Sequence, residues 1–529
     1  MSFSSSDDDT SALSLQSSLE DLSLEFTTDR KFIRWANANP RHPRNWTTNR
    51  KVYDTAIIIW LEFFTTAISA SGASAAADAQ HEYGISHTLS VFLFISMFVS
   101  LIPFCTESAS RVLTWPNLRY LIGQSIGGIV FPPFSECFGR RWLYIISMAV
   151  YCISCLITGL VPSISGVVVG RFFSGFTSAI PTAVVPGSIE DLYNAKDRIV
   201  FVFLWAMLAN TGLIIGPIMG TYVVSTLGWR WIFYIGAIVV GITTAFLFNL
   251  QESRHTILLE NEVSKLRKVT GMQELRALNP DHVPDLRTFL QSAVFRPARF
   301  LVTEPIVFLV STIASIAFAM VYLFTEALPT IYGDMGFTSQ TSSLPFLALG
   351  CGFLLSSLTR VLDHAILDKL YREGKPITPE SKLIGFSIGA PVLALGLWWF
   401  AWTIPPFVPN VHWIVSATAL VPVGYSLNEI DTVLAGYLAD SYLSYASSGF
   451  AAMSFLRAIL SAIFPLFTEK MYADLNANVA TSVLAAVSTV FCIIPPLFIR
   501  MGARIRKRST FAERSLQIYM ESTVDVDGY

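Results

Sequence analysis

The chain alternates between long apolar runs and short polar breaks. Twelve runs stand out, at roughly 53–76, 88–104 together with 121–136, 142–161, 165–187, 198–223, 229–250, 304–331, 341–362, 382–404, 411–437, 446–469 and 476–500. Most approach the ~20 residues that a helix needs to cross the hydrocarbon core of a bilayer. Helices and closed barrels are the only structures that satisfy every backbone polar group there, and runs of this length predict helices. The expected fold class is an all-α membrane protein with 12 transmembrane helices. The polar stretch 251–303 divides them into two six-helix bundles, 53–250 and 304–500, flanked by tails 1–52 and 501–529. Within that stretch, residues 257–268 read as an amphipathic helix lying along the inner membrane surface.

Composition agrees: 53% of residues are hydrophobic and 14% charged, against roughly 25% charged in soluble domains. The net charge of -2 says little about partners, but the positions of the charges say more. Arg140, Arg141, Lys196, Arg198, Arg254, Lys265, Arg267, Lys268, Lys369, Arg372, Lys375, Lys382 and the cluster Arg500, Arg504, Arg506, Lys507, Arg508 fall on one side of the helix map. Arg230 and Lys470 are the main cations on the other side. Cytosolic loops carry the excess of Lys and Arg, so both tails are expected in the cytosol. Residues 1–29 are Ser-rich and acidic without a basic residue and are expected to be disordered. The basic stretch Arg30–Lys51 then abuts the first run, and no signal peptide precedes it. The sequon at Asn45 lies on the cytosolic tail and should stay unmodified. Cys152-x-x-Cys155 lacks a second pair, so inert thiols are expected rather than zinc or redox chemistry. No Gly-Lys-Ser/Thr phosphate loop and no metal-ligand cluster is present, so no cofactor, no metal, no nucleic acid and no ATP-driven step is expected.

Candidate chemistry lies where charge interrupts the apolar pattern. Glu136 ends one run and Gly139-Arg140-Arg141 begins the next. Gly139 permits a tight turn because it lacks a Cβ. Glu136 and the arginines can form a charge-assisted latch that holds the two halves together at the inner face; the alternative is a plain basic turn. Gly212, Gly216 and Gly220 are spaced four apart, on one helix face. Such a groove lets another helix approach closely, and Pro217 can kink the helix. Packing of that face against the opposite half would seal a leak path; ordinary small-residue packing is the alternative. Arg171 lies inside a run, where an uncompensated charge costs roughly 2.5–3.5 kcal/mol on insertion scales, so it is expected to face a central cavity and find a partner. The intramembrane carboxylates are Glu62, Glu326, Glu429 and Asp431. Glu62 is near mid-membrane and can carry a proton or pair with a cationic substrate. Glu326 lies in the outer third, where it can gate or bind. Glu429 and Asp431 lie in the inner third, within reach of cytosolic water.

The stretch Gly128-Ile-Val-Phe-Pro-Pro-Phe-Ser-Glu136-Cys-Phe-Gly-Arg-Arg141 resembles the loop 2–3 signature of the major facilitator superfamily. More narrowly it resembles the fungal drug:proton antiporter group with twelve spans. Gly170-Arg171-Phe-Phe-Ser-Gly175 is similar to the group's arginine motif, and Gly212 to Gly220 to its antiporter motif. Glu252-Ser-Arg254 resembles its linker, and Leu323-Phe-Thr-Glu326-Ala-Leu-Pro329, Tyr437-Leu-Ala-Asp440 and Phe464-Pro-Leu-Phe467 resemble its second half. The resemblance covers about residues 40–510. It implies a major facilitator fold and export of a drug, polyamine or secondary metabolite in exchange for protons. It also implies a part for Arg171 in proton coupling, a monomer, and residence in the plasma membrane or the vacuolar membrane. Uptake by symport is the second transport reading.

One segment does not fit. Residues 99–122 carry two prolines and three charges inside what would otherwise be a continuous second helix. A retained intron is our reading, since the ends can be encoded by splice signals. Sequencing the transcript tests it. If the segment is real, a non-transporting or inactive membrane protein is the third reading.

Overall fold

The computed structural model describes residues 19, 22–27, 32–36, 39–91, 93–94, 123–272, 274–278, 295–374, 378–408, 411–442, 446–507, 509 and 511–513. The segment 99–122 and the rest of both tails lie outside them. In chain order the main helices are α1 (Thr48–Ala70), α2 (Gly72–Tyr83), α3 (Gly123–Phe138), α4 (Arg141–Leu160), α5 (Ile164–Leu192), α6 (Ala195–Leu227) and α7 (Arg230–Leu247). After the linker helix α8 (His255–Thr270) and the short α9 (Arg296–Thr303) come α10 (Pro305–Asp334), α11 (Phe346–Arg372), α12 (Ile384–Thr403), α13 (Trp413–Tyr442), α14 (Ala446–Phe491) and α15 (Ile494–Arg506).

Nine helices among the described residues are long and apolar enough to cross a membrane. Three further spans account for the difference from twelve. The second is represented by the short apolar α3. The tenth is α13, whose central Asn428, Glu429 and Asp431 make it polar although all three side chains are buried. The last apolar stretch, Ser448–Arg506, holds two spans, because Asn476 at φ 62° and ψ 155° breaks helical geometry within α14.

Helix packing repeats between the halves. In the first, α1 packs on α6, α4 on α5 and α7, and α3 on α5; in the second, α10 packs on α14, α12 on α13 and α14, and α11 on α13. Across the middle, α6 meets α11 and α3 meets α14, contacts that interchange when the first six spans are exchanged for the last six. This is the parallel repeat of two bundles about an axis along the membrane normal.

The tail and linker depart from expectation. Strands β1 (Leu24–Phe26) and β2 (Ile33–Trp35) pair antiparallel, with Phe26 opposite Ile33. Ile33 also bridges to Ala277 in parallel. The apolar face of α8 (Leu259, Val263, Leu266) is buried against Leu19, Leu24, Ile33 and Leu275. Residues 22–27 are thus ordered rather than disordered, and the amphipathic helix is covered by the tail rather than by lipid. The physical reason is that the polar tail hides alternating apolar residues, which supply the cover that α8 lacks on its own. Arg41 ties the arrangement to Glu262 at 2.7 Å. Ile33 is fully buried, so Ile33→Asp places an uncompensated carboxylate there at a cost of several kcal/mol. We expect limited trypsin to cut at Lys265, Arg267 or Lys268 at least about tenfold faster in that variant, with bundle melting unchanged. Equal cleavage rates would show that the tail does not cover α8.

Candidate functional site

Between the two bundles lies a pocket with about 780 Å³ of empty space, part of it open to solvent. Helix α1 contributes Glu62, Thr65, Thr66 and Ser69, α5 contributes Ser178 and Thr182, and α6 contributes Trp205 and Asn210. From the second half come Phe318 and Tyr322 of α10, Asp431 of α13, and Ser454, Arg457 and Ser461 of α14. Hydroxyls recur because Ser and Thr in a helix bond back to the carbonyl a turn earlier, as Thr65 does to Leu61 at 2.8 Å and Ser461 to Arg457 at 2.7 Å. They stay satisfied in an apolar bundle and still offer an oxygen to a guest. A contiguous lobe lined by Pro186, Val202, Ala435 and Phe450 extends toward the end of the bundle that carries Arg140 and Asp440. At the opposite end the halves are tied by Gln340, which donates to Ser225 at 3.0 Å, and Ser69 approaches Tyr322 to 3.4 Å.

Three charged groups line this cavity. Glu62 is buried; Thr182 donates to it at 3.2 Å and Thr66 lies at 3.4 Å. Both partners are neutral. Asp431 instead accepts from Arg457, whose guanidinium also stacks over Phe318 with 4.5 Å to the ring centroid. The cavity therefore holds one matched ion pair and one carboxyl bonded only to hydroxyls. Arg457 is not among the residues singled out from the sequence, nor is Arg360. The signal was available: each is a cation inside an apolar run and needs a carboxylate as much as Arg171 does.

The other expected site residues lie elsewhere. Glu429 does not reach cytosolic water; it is fully buried and pairs with Arg360, which also binds Asp363 at 2.9 Å. Arg171 does not face the cavity. It donates to the Phe94 carbonyl and stacks over Phe233 with 4.6 Å to the centroid, because Gly72 leaves room for its guanidinium. Glu326 is half-buried on α10, outside the cavity lining. Its Oε1 has no hydrogen-bond partner among the described residues, and the charge acting on it is Glu469 of α14.

The basic turn makes a charge cluster, but with other partners. Arg140 pairs with Asp191 of α5 at 3.1 Å, and Arg254 reaches the same carboxylate at 3.2 Å. Glu252 accepts from the backbone N–H groups of Arg140 and Arg141, each at 3.0 Å. A carboxylate there satisfies the orphan donors of the α4 N-terminus and meets its positive dipole end. Gly139 has φ +92°, and a Cβ on it would meet Glu252 Oε2 at 2.7 Å. Arg141 donates to the Phe248 carbonyl at 3.0 Å. Among the described contacts, those of Arg140 and Arg141 are made with Asp191, Glu252 and Phe248 rather than with Glu136. These groups belong to the first bundle and the start of the linker, so the cluster binds α4, α5 and the linker together rather than latching the halves. The second bundle has a counterpart in Lys382–Asp440 at 2.6 Å and Arg506–Glu380 at 2.7 Å.

The glycine stripe is likewise internal to the first half. A Cβ on Gly212, Gly216 or Gly220 would press on Phe63, Ala67 or Ser71, all on or just beyond α1. Pro217 lies beside the same contact, its carbonyl accepting from Ser74 of α2 at 3.4 Å. The stripe closes α6 onto α1, and a different face of α6 meets the second half.

Comparison with known proteins agrees with this architecture and with the resemblance carried by the motifs. A major facilitator superfamily multidrug transporter of Candida albicans is 29% identical over 480 residues, covering 90% of this chain and 75% of its own length. An ascochitine biosynthesis cluster MFS transporter of Didymella fabae is 30% identical over 493 residues, covering 92% and 90%. Among solved structures, the human organic anion transporter MFSD10 superposes with a TM-score of 0.54 at 12% identity, over 86% of this chain and 100% of its own. The sequence profile of the Major Facilitator Superfamily matches residues 84–465, and this chain belongs to that superfamily.

Proposed function

We propose that the protein is a proton-coupled secondary transporter that exports small organic molecules by alternating access. The observation that carries this reading is Glu62: a buried carboxyl, facing the pocket between the two bundles and hydrogen-bonded only to hydroxyls. Aromatic Trp205, Phe318 and Tyr322 beside many hydroxyls suit an amphipathic guest. The basic end is cytosolic by the distribution of Lys and Arg, so the lobe toward that end makes this the inward-facing arrangement. Substrate enters from the cytosol as Glu62 gives up its proton. After the halves rock, Glu62 is reloaded from outside, and Glu326 is the carboxyl on that path. The names of the relatives, a multidrug transporter and a biosynthesis-cluster transporter, support drugs or secondary metabolites as the substrate class; the proposed site is the plasma membrane, with the vacuolar membrane as the alternative.

The test is flux in proteoliposomes under an imposed pH gradient, with a fluorescent amphipathic dye and a radiolabelled polyamine as probes. The full chain and a chain lacking 99–122 are run in parallel. We expect export against the proton gradient that collapses with an ionophore. Uptake in the direction of proton flow would favour symport. Flux of neither probe in both chains would overturn the reading.

A further inference from the structure

One face of α6 meets the second half along its whole length. Phe203 lies under Arg360 of α11, with 6.0 Å from the guanidinium to the ring centroid. Asn210 donates to Asn428 of α13 at 2.7 Å. Ile214 lies 3.4 Å from where a Cβ on Gly350 of α11 would stand. Ser225 accepts from Gln340 at 3.0 Å. Residues 203, 210, 214 and 225 are spaced by seven, four and eleven, which places them on one stripe of a helix. The stripe is distinct from the glycines at 212, 216 and 220.

The link at the middle of this seam is unlike those at its ends. Asn210 and Asn428 are buried, and Asn428 passes the chain on by donating to Ser356 at 2.6 Å. Ser356 in turn donates to the Phe353 carbonyl at 2.7 Å. Buried amides left unpaired in an apolar bundle are costly, whereas a fully satisfied set fixes register. Ser225 and Gln340, by contrast, bond at an exposed end of the molecule. If two bodies rock about an axis crossing the seam, its ends separate alternately and its middle moves least. A costly, geometrically exacting bond is tolerable only where it need not be broken.

We propose that the Asn210–Asn428 bond, continued to Ser356, is the pivot on which the two halves turn, formed in both the inward-facing and outward-facing states. This rests on the transporter reading above. Asn428 does not line the cavity, so its role is to position the halves and not to bind substrate.

The experiment uses the full chain with its six native cysteines replaced by serine, in proteoliposomes. Two cysteine pairs are introduced, Asn210→Cys with Asn428→Cys and Ser225→Cys with Gln340→Cys. Crosslinking by a short bifunctional thiol reagent is followed first, without any flux measurement. The middle pair is expected to crosslink to completion at the same rate with and without a proton gradient. The end pair is expected to crosslink at a rate that changes with the gradient. Gradient-dependent crosslinking of the middle pair overturns the pivot even if no probe is transported, which separates this outcome from failure of the transporter reading.

Flux is then measured before and after crosslinking. Loss of flux after the end crosslink is the expected result for halves that must separate there. Full flux after the end crosslink overturns the pivot. Asn428→Leu supplies an independent readout: the melting temperature of the solubilised protein falls, because a buried hydrogen bond is lost in every state, while KM stays within about twofold. A raised KM at unchanged turnover would assign Asn428 to binding and overturn the proposal.

Discussion

Glu62→Gln is expected to abolish export driven by a pH gradient while leaving substrate binding and substrate-for-substrate exchange intact. The amide keeps the shape of the carboxyl: its oxygen can accept from one of Thr182 and Thr66 and its NH2 can donate to the hydroxyl oxygen of the other, where Glu62 accepts from both at 3.2 and 3.4 Å. What it loses is a titratable proton. Asp431, the other carboxylate lining the cavity, does not replace it, because Arg457 already holds it in a charge-assisted pair. A carboxylate matched by a guanidinium is the poorer proton carrier, since protonating it strands the cation. The measurement compares downhill exchange with proton-driven efflux in the same vesicles. Exchange should persist, and efflux should no longer respond to the external pH. Efflux of wild-type size and pH dependence in Glu62→Gln would remove Glu62 from the mechanism and leave Glu326 as the next carboxyl to test.

The second large effect is on assembly. Asp191→Asn should sharply lower the amount of folded protein that reaches the membrane. The Asp191 carboxylate meets Arg140 at 3.1 Å and Arg254 at 3.2 Å, and Asp191 and Arg140 are both buried. Removing one member of a buried ionic group leaves uncompensated charge, at about 3–5 kcal/mol, a large share of the stability of a typical domain. Fluorescence-detected size-exclusion and the melting temperature of the solubilised protein report the loss. An apolar replacement of both partners, Arg140→Leu with Asp191→Leu, should recover part of it, because no orphan charge then remains between them. Unchanged yield and melting in Asp191→Asn would show that the cluster carries no stability. Since the cluster joins the first bundle to the start of the linker and includes no group of the second bundle, the expected defect is in folding and not in the switching of one half against the other.

Several elements were legible from residue order for a reason that is local. A run of apolar residues long enough to cross a bilayer has one low-energy solution, and Gly139 between Glu136 and Arg140 marks a turn in any context. The charged residues were legible as a class, because each charge inside a run is costly wherever it faces. Their partners were not. Arg140 selects Asp191 over the nearer Glu136 because α5 ends beside the turn, and the linker folds back to place Glu252 over the start of α4. Arg171 turns from the cavity because Gly72 opens space for it beside Phe94 and Phe233. The tail was misread because composition averages over residues: six apolar positions scattered through polar sequence are enough to cover one face of α8.

By itself the sequence determined the membrane-spanning helical class, the division into two sets of six, the basic end, and the membership in a transporter superfamily through short motifs in fixed order. Those properties depend on hydropathy and spacing along the chain. Only the tertiary structure decided which carboxyl faces the cavity with hydroxyl partners alone, which arginines neutralise the others, and that α6 joins the halves through Asn210 and Asn428. Those depend on helix rotation about its own axis. A turn of about 100° per residue leaves hydropathy unchanged while moving a side chain from lipid to cavity, and packing against neighbouring helices sets that rotation.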